Sequence, residues 1–204
     1  MQRSTRSRVA LNHPPAFVPT FIVHKKLRFQ ANQEYTQASP LVLSIKSFGD
    51  LWCSAATATS AYQLASHVRL KKIEMWGPMA SDLVPVTVQV DWTGSSSLGG
   101  FGKSNRVSDT SMGSTEPAHL ASAPPPMAQI SQWTQCSSTN EVCRLVFPDN
   151  AVIDVTLDLV IRDDASTQTV TGPVVGAAVG ANYVRSLDSV GGTNNVLPTS
   201  LATI

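Results

Sequence analysis

The side chains best placed to do chemistry in this 204-residue chain are cations, and the chemistry they offer is neutralisation of a polyanion. From Met1 to Gln33 the chain carries Arg3, Arg6, Arg8, Lys25, Lys26 and Arg28 and no acidic residue. The other 171 residues hold nine cations and fourteen acids, a net charge of −5. A basic leading end on a mildly acidic body is the asymmetry expected of an arm that meets phosphate, although a merely solvated terminus has the same composition. A second group, Arg69, Lys71 and Lys72, falls within one strand-like stretch. These nine residues are the candidate nucleic-acid contacts.

Catalytic chemistry finds little support. The chain has no GxSxG, HExxH or P-loop sequence. Gly99, Gly100 and Gly102 lie in a serine-glycine stretch whose spacing is wrong for a phosphate-binding turn. Asp109-Thr110-Ser111 occurs once, with serine where an aspartic protease places glycine, so Asp109 and Ser111 read as turn or interface hydrogen-bonders. Cys53, Cys136 and Cys143 form no CxxC pair, which argues against a zinc site and a disulfide scaffold; a Cys136–Cys143 bridge between neighbouring segments stays open. Adjacent Asp163 and Asp164 could hold calcium at a subunit contact, since hard cations take carboxylate oxygens. The expectation is therefore no enzyme, no cofactor and no resident metal.

The elements that must position the cations read as strands. Val84, Val86, Val88, Val90 and Trp92 alternate with polar residues, as do Ile153, Val155, Leu157, Leu159 and Ile161. That period of two marks strands with one face in a core and one in water. Between His67 and Trp76 the parity changes: Val68 and Leu70 share one face, Ile73 and Met75 the other. Either a bulge near Lys71 resets the register or both faces of one end are polar. Phe21–Gln30 alternates too, with His24, Lys26 and Arg28 forming a basic face and Lys25 out of pattern. The full set is eight strands, at 21–30, 41–48, 67–76, 84–93, 105–111, 117–123, 141–147 and 151–162. Asp50 to Leu64 reads as a short helix, with Asp50 as N-cap to an alanine-rich run. Another short turn is expected between Met127 and Trp133.

Eight antiparallel strands with one small helix after the second suit an all-β jelly-roll sandwich of two four-stranded sheets. The expected organisation is a flexible basic arm at 1–19, a jelly-roll domain at 20–165 and an apolar C-terminal extension at 166–204. From Thr169 to Ile204 only Arg185 and Asp188 are charged among many valines and leucines. A tail this apolar is expected to pack on its own domain or on a neighbouring subunit, a flexible glycine-rich tail being the other reading. No run of eighteen apolar residues is present, so no membrane-spanning helix is expected, and the first ten residues do not read as a secretory signal.

The order VRLKKIEMWGP (Val68–Pro78), VTVQVDW (Val86–Trp92), VSDTSMG (Val107–Gly113) and PAH (Pro117–His119), followed by a proline cluster, resembles the capsid proteins of small circular single-stranded DNA viruses that encode a replication initiator. Satellite-type and tombus-like plant virus shells are looser relatives. The resemblance spans about residues 65 to 165. It implies a single jelly roll that assembles with copies of itself, often sixty in a T=1 icosahedron, around single-stranded nucleic acid, with DNA favoured over RNA. It also implies a place in the virion, assembled inside the host cell. One departure matters: such proteins often open with a dense arginine-rich arm, and this chain has three arginines there. Six cations on each of sixty arms would neutralise roughly 360 phosphates, a fraction of a genome, which predicts salt-sensitive binding and tolerance of empty shells. A ligand-binding jelly-roll module, lectin-like or adhesin-like, is the alternative of different class.

Overall fold

The computed structural model describes residues 21–57, 59–80, 84–93, 104–113, 115–162, 178–191 and 193–199. In chain order the strands are β1 (Ile22–Ala31), β2 (Leu41–Ser44), β3 (Trp52–Ala55), β4 (Ala61–Gln63), β5 (Ala65–Trp76), β6 (Val86–Trp92), β7 (Asn105–Ser111), β8 (His119–Ser122), β9 (Thr134–Gln135), β10 (Glu141–Val146), β11 (Val152–Ile161), β12 (Asn182–Val184) and β13 (Val196–Pro198). A single α-helix, α1 (Ile45–Gly49), follows β2, and short 3-10 turns lie at Gln129–Ser131 and Ser189–Gly191.

Eight of these strands build the sandwich. One sheet runs β1-β11-β5-β8, extended by β13 and β9; the other runs β2-β10-β6-β7. All pairings are antiparallel. Numbered one to eight, the strands pair first with eighth, second with seventh, third with sixth and fourth with fifth. The chain crosses between sheets at every step except the β6–β7 connection. That is a jelly roll, one long hairpin wound on itself, and the eight strands expected from sequence correspond to its eight strands, except that β6 begins at Val86 and Val84, expected on the core face, is exposed.

The core lies between the sheets. Phe29, Leu43, Leu70, Ile73, Met75, Val88, Val90, Leu145 and the inward residues of β11 are fully buried or nearly so. Trp92 enters this core with its polar edge satisfied, its Nε1 donating to Ser122 Oγ at 2.8 Å. A bulge explains the parity change in β5. Thr156 pairs with Lys72 and Leu157 with Leu70, leaving Lys71 as the extra residue. Val68 and Leu70 therefore share the core with Ile73 and Met75, while every cation of the strand stays outside.

The helix is displaced from its expected position. Ser44 rather than Asp50 is the N-cap: its Oγ accepts from the Ser47 N–H at 3.2 Å, and Ser47 Oγ accepts from the Ser44 N–H at 3.1 Å. Asp50 is the C-cap, and its buried carboxylate is taken by Gln63 Nε2 at 2.7 Å and Lys46 Nζ at 3.1 Å. The alanine-rich run beyond it forms β3 and β4, which pair with each other, β3 pairing on its other side with β12. Small residues serve tight sheet packing there: Ala55, Ala61 and Ala65 are buried. Strand 41–48 is correspondingly shorter, ending at Ser44.

The chain beyond β11 returns to this body. β13 pairs with the end of β1, and Leu187 and Val196 are completely buried. Asp188 anchors the return by accepting from Tyr35 Oη at 3.0 Å, Thr193 Oγ1 at 2.8 Å and the Asn195 N–H at 2.8 Å. The three cysteines are buried and free; burial pushes the Cys53 thiol up to about 11 and the Cys136 thiol up to about 12.

At Gly49 the helix end meets Cys136 so closely that an added Cβ would lie 2.5 Å from Cys136 Cβ. Gly49→Ala is expected to destabilise the fold by about 1–3 kcal/mol through overpacking. Gly113→Ala, where the nearest atom would be 3.8 Å away, is expected to shift stability by about 0.5 kcal/mol or less. Thermal or denaturant unfolding of the two variants checks the contrast.

Candidate nucleic-acid interface

Strands β1, β11 and β5 lie side by side, and their solvent-facing positions interlock by register. Arg28 stands opposite Asp154 and His24 opposite Asp158 across one pairing; Glu74 stands opposite Asp154 and Arg69 opposite Asp158 across the other. The middle strand thus supplies two carboxylates, and the strands on both sides supply cations. Arg28 grips Asp154 in bidentate fashion, Nε to Oδ1 at 2.7 Å and Nη2 to Oδ2 at 2.8 Å, with Lys26 Nζ at 2.9 Å from the same carboxylate. Arg69 places Nη2 2.6 Å and Nε 3.1 Å from Asp158 Oδ2. Lys71 Nζ lies 3.5 Å from that oxygen, and His24 Nδ1 is 2.5 Å from Oδ1. Glu74 holds Lys72 at 2.9 Å and Lys26 at 3.3 Å.

The layering matters more than the pairing. The Asp154 and Asp158 side chains are 0% and 3% exposed, whereas those of Lys26, Arg28, Lys71 and Lys72 are between 43% and 53% exposed. Acids form a floor and cations form the surface. With Arg69 the face has five cations, and with Glu74 three carboxylates, which leaves a net +2. Burial works to raise the Asp154 and Asp158 carboxyls, but hydrogen bonds and charge from Arg28 and Lys26, and from Arg69, His24 and Lys71, outweigh it. Both therefore stay below the ordinary carboxylate range. Glu74 is lowered mainly by its hydrogen bond from Lys72.

Aromatic rings stand at both ends of this face. Trp76 and His119, register partners across β5 and β8, stack with centroids 5.0 Å apart and planes 14° from parallel. The Arg28 guanidinium lies 5.6 Å from the Trp76 ring. At the other end Arg69 lies 4.7 Å from the ring of Trp133.

Of the cations expected from sequence, Lys26, Arg28, Arg69, Lys71 and Lys72 converge here. Lys25 does not: it has core parity and sits over the Trp52 ring at 4.7 Å. Arg3, Arg6 and Arg8 lie outside the described residues, as do Asp163 and Asp164. Sequence reasoning placed Asp154 and Asp158 on the polar side of their strand but did not join them to these cations. It attached no role in this face to Glu74, Trp76, His119 or Trp133. Register was the missing information, since only pairing across three strands brings these residues together.

The second sheet's outer face is different. Asp91 accepts from Arg106 at 2.7 and 3.0 Å, and Glu141 accepts from Arg144 at 2.7 and 3.2 Å. Thr87 and Thr110 share a hydrogen bond at 2.9 Å, and Gln89 donates to Gln37 at 2.8 Å. Its two arginines and two acids cancel. Asp109 and Ser111 serve a turn, Asp109 accepting from the His119 N–H at 2.7 Å and Ser111 donating to the Glu116 carbonyl. Among the described residues no group of three or more His, Cys, Asp or Glu side chains could hold a metal ion, and no helix is long and apolar enough to cross a membrane.

No protein-family model matches the sequence, and no curated protein matches it. Solved structures similar to this chain include two viral ones. The virus-like particle of the giant freshwater prawn (Macrobrachium rosenbergii) extra small virus aligns at 10% identity and TM-score 0.45, over 80% of this chain and 95% of that one. Desmodium yellow mottle tymovirus aligns at 14% identity and TM-score 0.42, over 78% of this chain and 99% of that one. The jelly-roll assignment itself stands on strand order and register.

The acid floor yields a pH-dependent prediction. Asp154→Asn removes a buried, charge-assisted hydrogen-bond acceptor and is expected to cost about 1.5–3 kcal/mol at neutral pH. Because the folded-state pKa of Asp154 is depressed, its contribution is present above the unfolded value near 3.9 and is lost as pH falls through the folded one. The stability gap between variant and wild type should narrow below about pH 4, as read by denaturant unfolding at a series of pH values.

Proposed function

We propose that this chain is a viral capsid protein whose copies tile a small icosahedral shell, sixty in number, around a single-stranded nucleic acid genome. The observation that carries the proposal is the difference between the two outer faces of the sandwich. One is a cationic layer on a buried acid floor; the other is neutral and rich in hydroxyl and amide groups. A wall between packed polyanion and bulk solvent needs that polarity. On this reading the β1-β11-β5 face turns toward the genome, with Lys26, Arg28, Arg69, Lys71 and Lys72 meeting phosphate, and Arg3, Arg6 and Arg8 adding charge from the leading arm.

Other features support the same reading. Exposed apolar side chains occur outside the core, among them Met79, Val84, Met112 and Val179. Surfaces of this kind suit contacts between copies. The resemblance in motif order to small single-stranded DNA virus capsids supports the same reading, on which the protein resides in the virion and is assembled in the host cell. No enzymatic role is part of the proposal.

Negative-stain microscopy and size-exclusion chromatography of the purified protein test assembly. Megadalton spheres are expected; a monomer-sized species under all salt conditions would count instead for the ligand-binding module. The charged face has its own test. Lys71→Ala with Lys72→Ala should weaken binding to a single-stranded oligonucleotide and lower the log–log salt slope by about 1.4, close to 0.7 per lost phosphate contact. Asp154→Asn should do the reverse, binding more tightly with a steeper slope although the protein is less stable. An unchanged slope in both variants would remove this face from the interface.

A further inference from the structure

We infer that the β1-β11-β5 face takes nucleic acid with unpaired bases, stacking them on the Trp76–His119 pair at one end and on Trp133 at the other. The inference rests on the proposed reading of that face as a phosphate-binding surface and adds what the phosphates alone do not specify. Cations on a sheet bind any polyanion: duplex, single strand or acidic peptide. Aromatic planes are selective, because only an unpaired, unstacked base has a ring face to offer.

The geometry favours this occupant. Arg69 and Trp76 are seven residues apart in β5, one of the intervening residues being the bulge at Lys71, so the two aromatic ends stand roughly 20 Å apart at about 3.3 Å per residue. Lys71 and Lys72 project between them from β5, and Lys26 and Arg28 from β1. The order along the face is ring, cations, ring, which matches a strand whose bases are seated at both ends and whose backbone runs over charge between them. His119, beside Trp76 on the neighbouring strand β8, is exposed while Trp76 is half-buried, so the imidazole is the accessible member of the pair for a base. Trp133 is 37% exposed, a high value for a side chain that would otherwise gain from burial. Arg28 and Arg69 each touch both a carboxylate and an indole. The acid floor therefore fixes ring position as well as cation position.

The test compares three fluorescent probes of equal length on the full-length protein: oligo-dT, an abasic oligodeoxynucleotide and a duplex, each titrated over a salt series. Oligo-dT is expected to bind more tightly than the abasic strand by about 5- to 150-fold for each stacked base, with quenching of tryptophan emission and nearly equal salt slopes. Trp133→Leu with His119→Leu should remove most of that preference and leave the slope unchanged. Circular dichroism and thermal melting verify that the variant is folded, and the wild-type dT-against-abasic comparison stands whether or not it is.

Equal affinity for dT and abasic strands, preference for duplex, or equally strong competition by polyglutamate would overturn the inference while leaving a charge-only interface intact. Failure of the underlying reading looks different: a base preference that persists while Lys71→Ala with Lys72→Ala leaves affinity and slope untouched would locate binding elsewhere on the chain.

Discussion

Two aspartates in the middle of β11 make the charged sheet possible. Lys26 and Arg28 on β1 and Arg69, Lys71 and Lys72 on β5 crowd like charges onto the two strands that flank β11, an arrangement that repels unless something between them carries the opposite charge. Asp154 and Asp158 sit between them, nearly inaccessible to water, and turn that repulsion into attraction. A carboxylate buried in this way is costly unless charged and hydrogen-bonded partners surround it. Each side thus requires the other. The cations need the floor in order to coexist, and the floor needs the cations in order to stay ionised.

On the proposed reading of this face, the same interaction limits how strongly it holds a polyanion. Cations bound to carboxylates are only partly available to phosphate, and the net charge of the cluster is smaller than its count of lysines and arginines. On that reading stability and nucleic-acid affinity are opposed at Asp154. A shell that must close around its cargo and later release it has use for moderate, salt-dependent attraction, which a bare row of lysines would exceed.

Much of the fold was legible because period-2 alternation reports burial directly. Val86–Trp92 and Val152–Ile161 have one side in the core and one outside, and their residues say so. The bulge at Lys71 was visible as a parity change. The helix was misplaced because Asp50 resembles an N-cap by residue type, while its carboxylate is used in the interior by Gln63 and Lys46; the Ser44–Ser47 reciprocal pair, separated by only two residues, was the better signal. The candidate interface was half legible. Its cations stood out by local density, but Asp154, Glu74, Trp76, His119 and Trp133 join them only through register between strands distant in sequence. No local pattern encodes that register.

On the capsid proposal, the charge balance of packaging changes little once the pairing is known. Lys25 leaves the account, since it lies on Trp52 with core parity, and Lys26 and Arg28 are shared with Asp154. Arg69, Lys71 and Lys72 enter it, offset by Asp158 and Glu74. On the sixty-copy proposal, three arm arginines and a net +2 on the face give roughly 300 phosphates neutralised per shell, close to what six arm cations alone would supply. The shortfall against a genome of a thousand or more nucleotides therefore persists. A face that also seats bases eases it in a specific way, because stacking contributes binding free energy that does not scale with charge and survives at salt concentrations where phosphate contacts weaken. Aromatic ends on a half-neutralised sheet are thus a physical answer to a chain with few cations to spare.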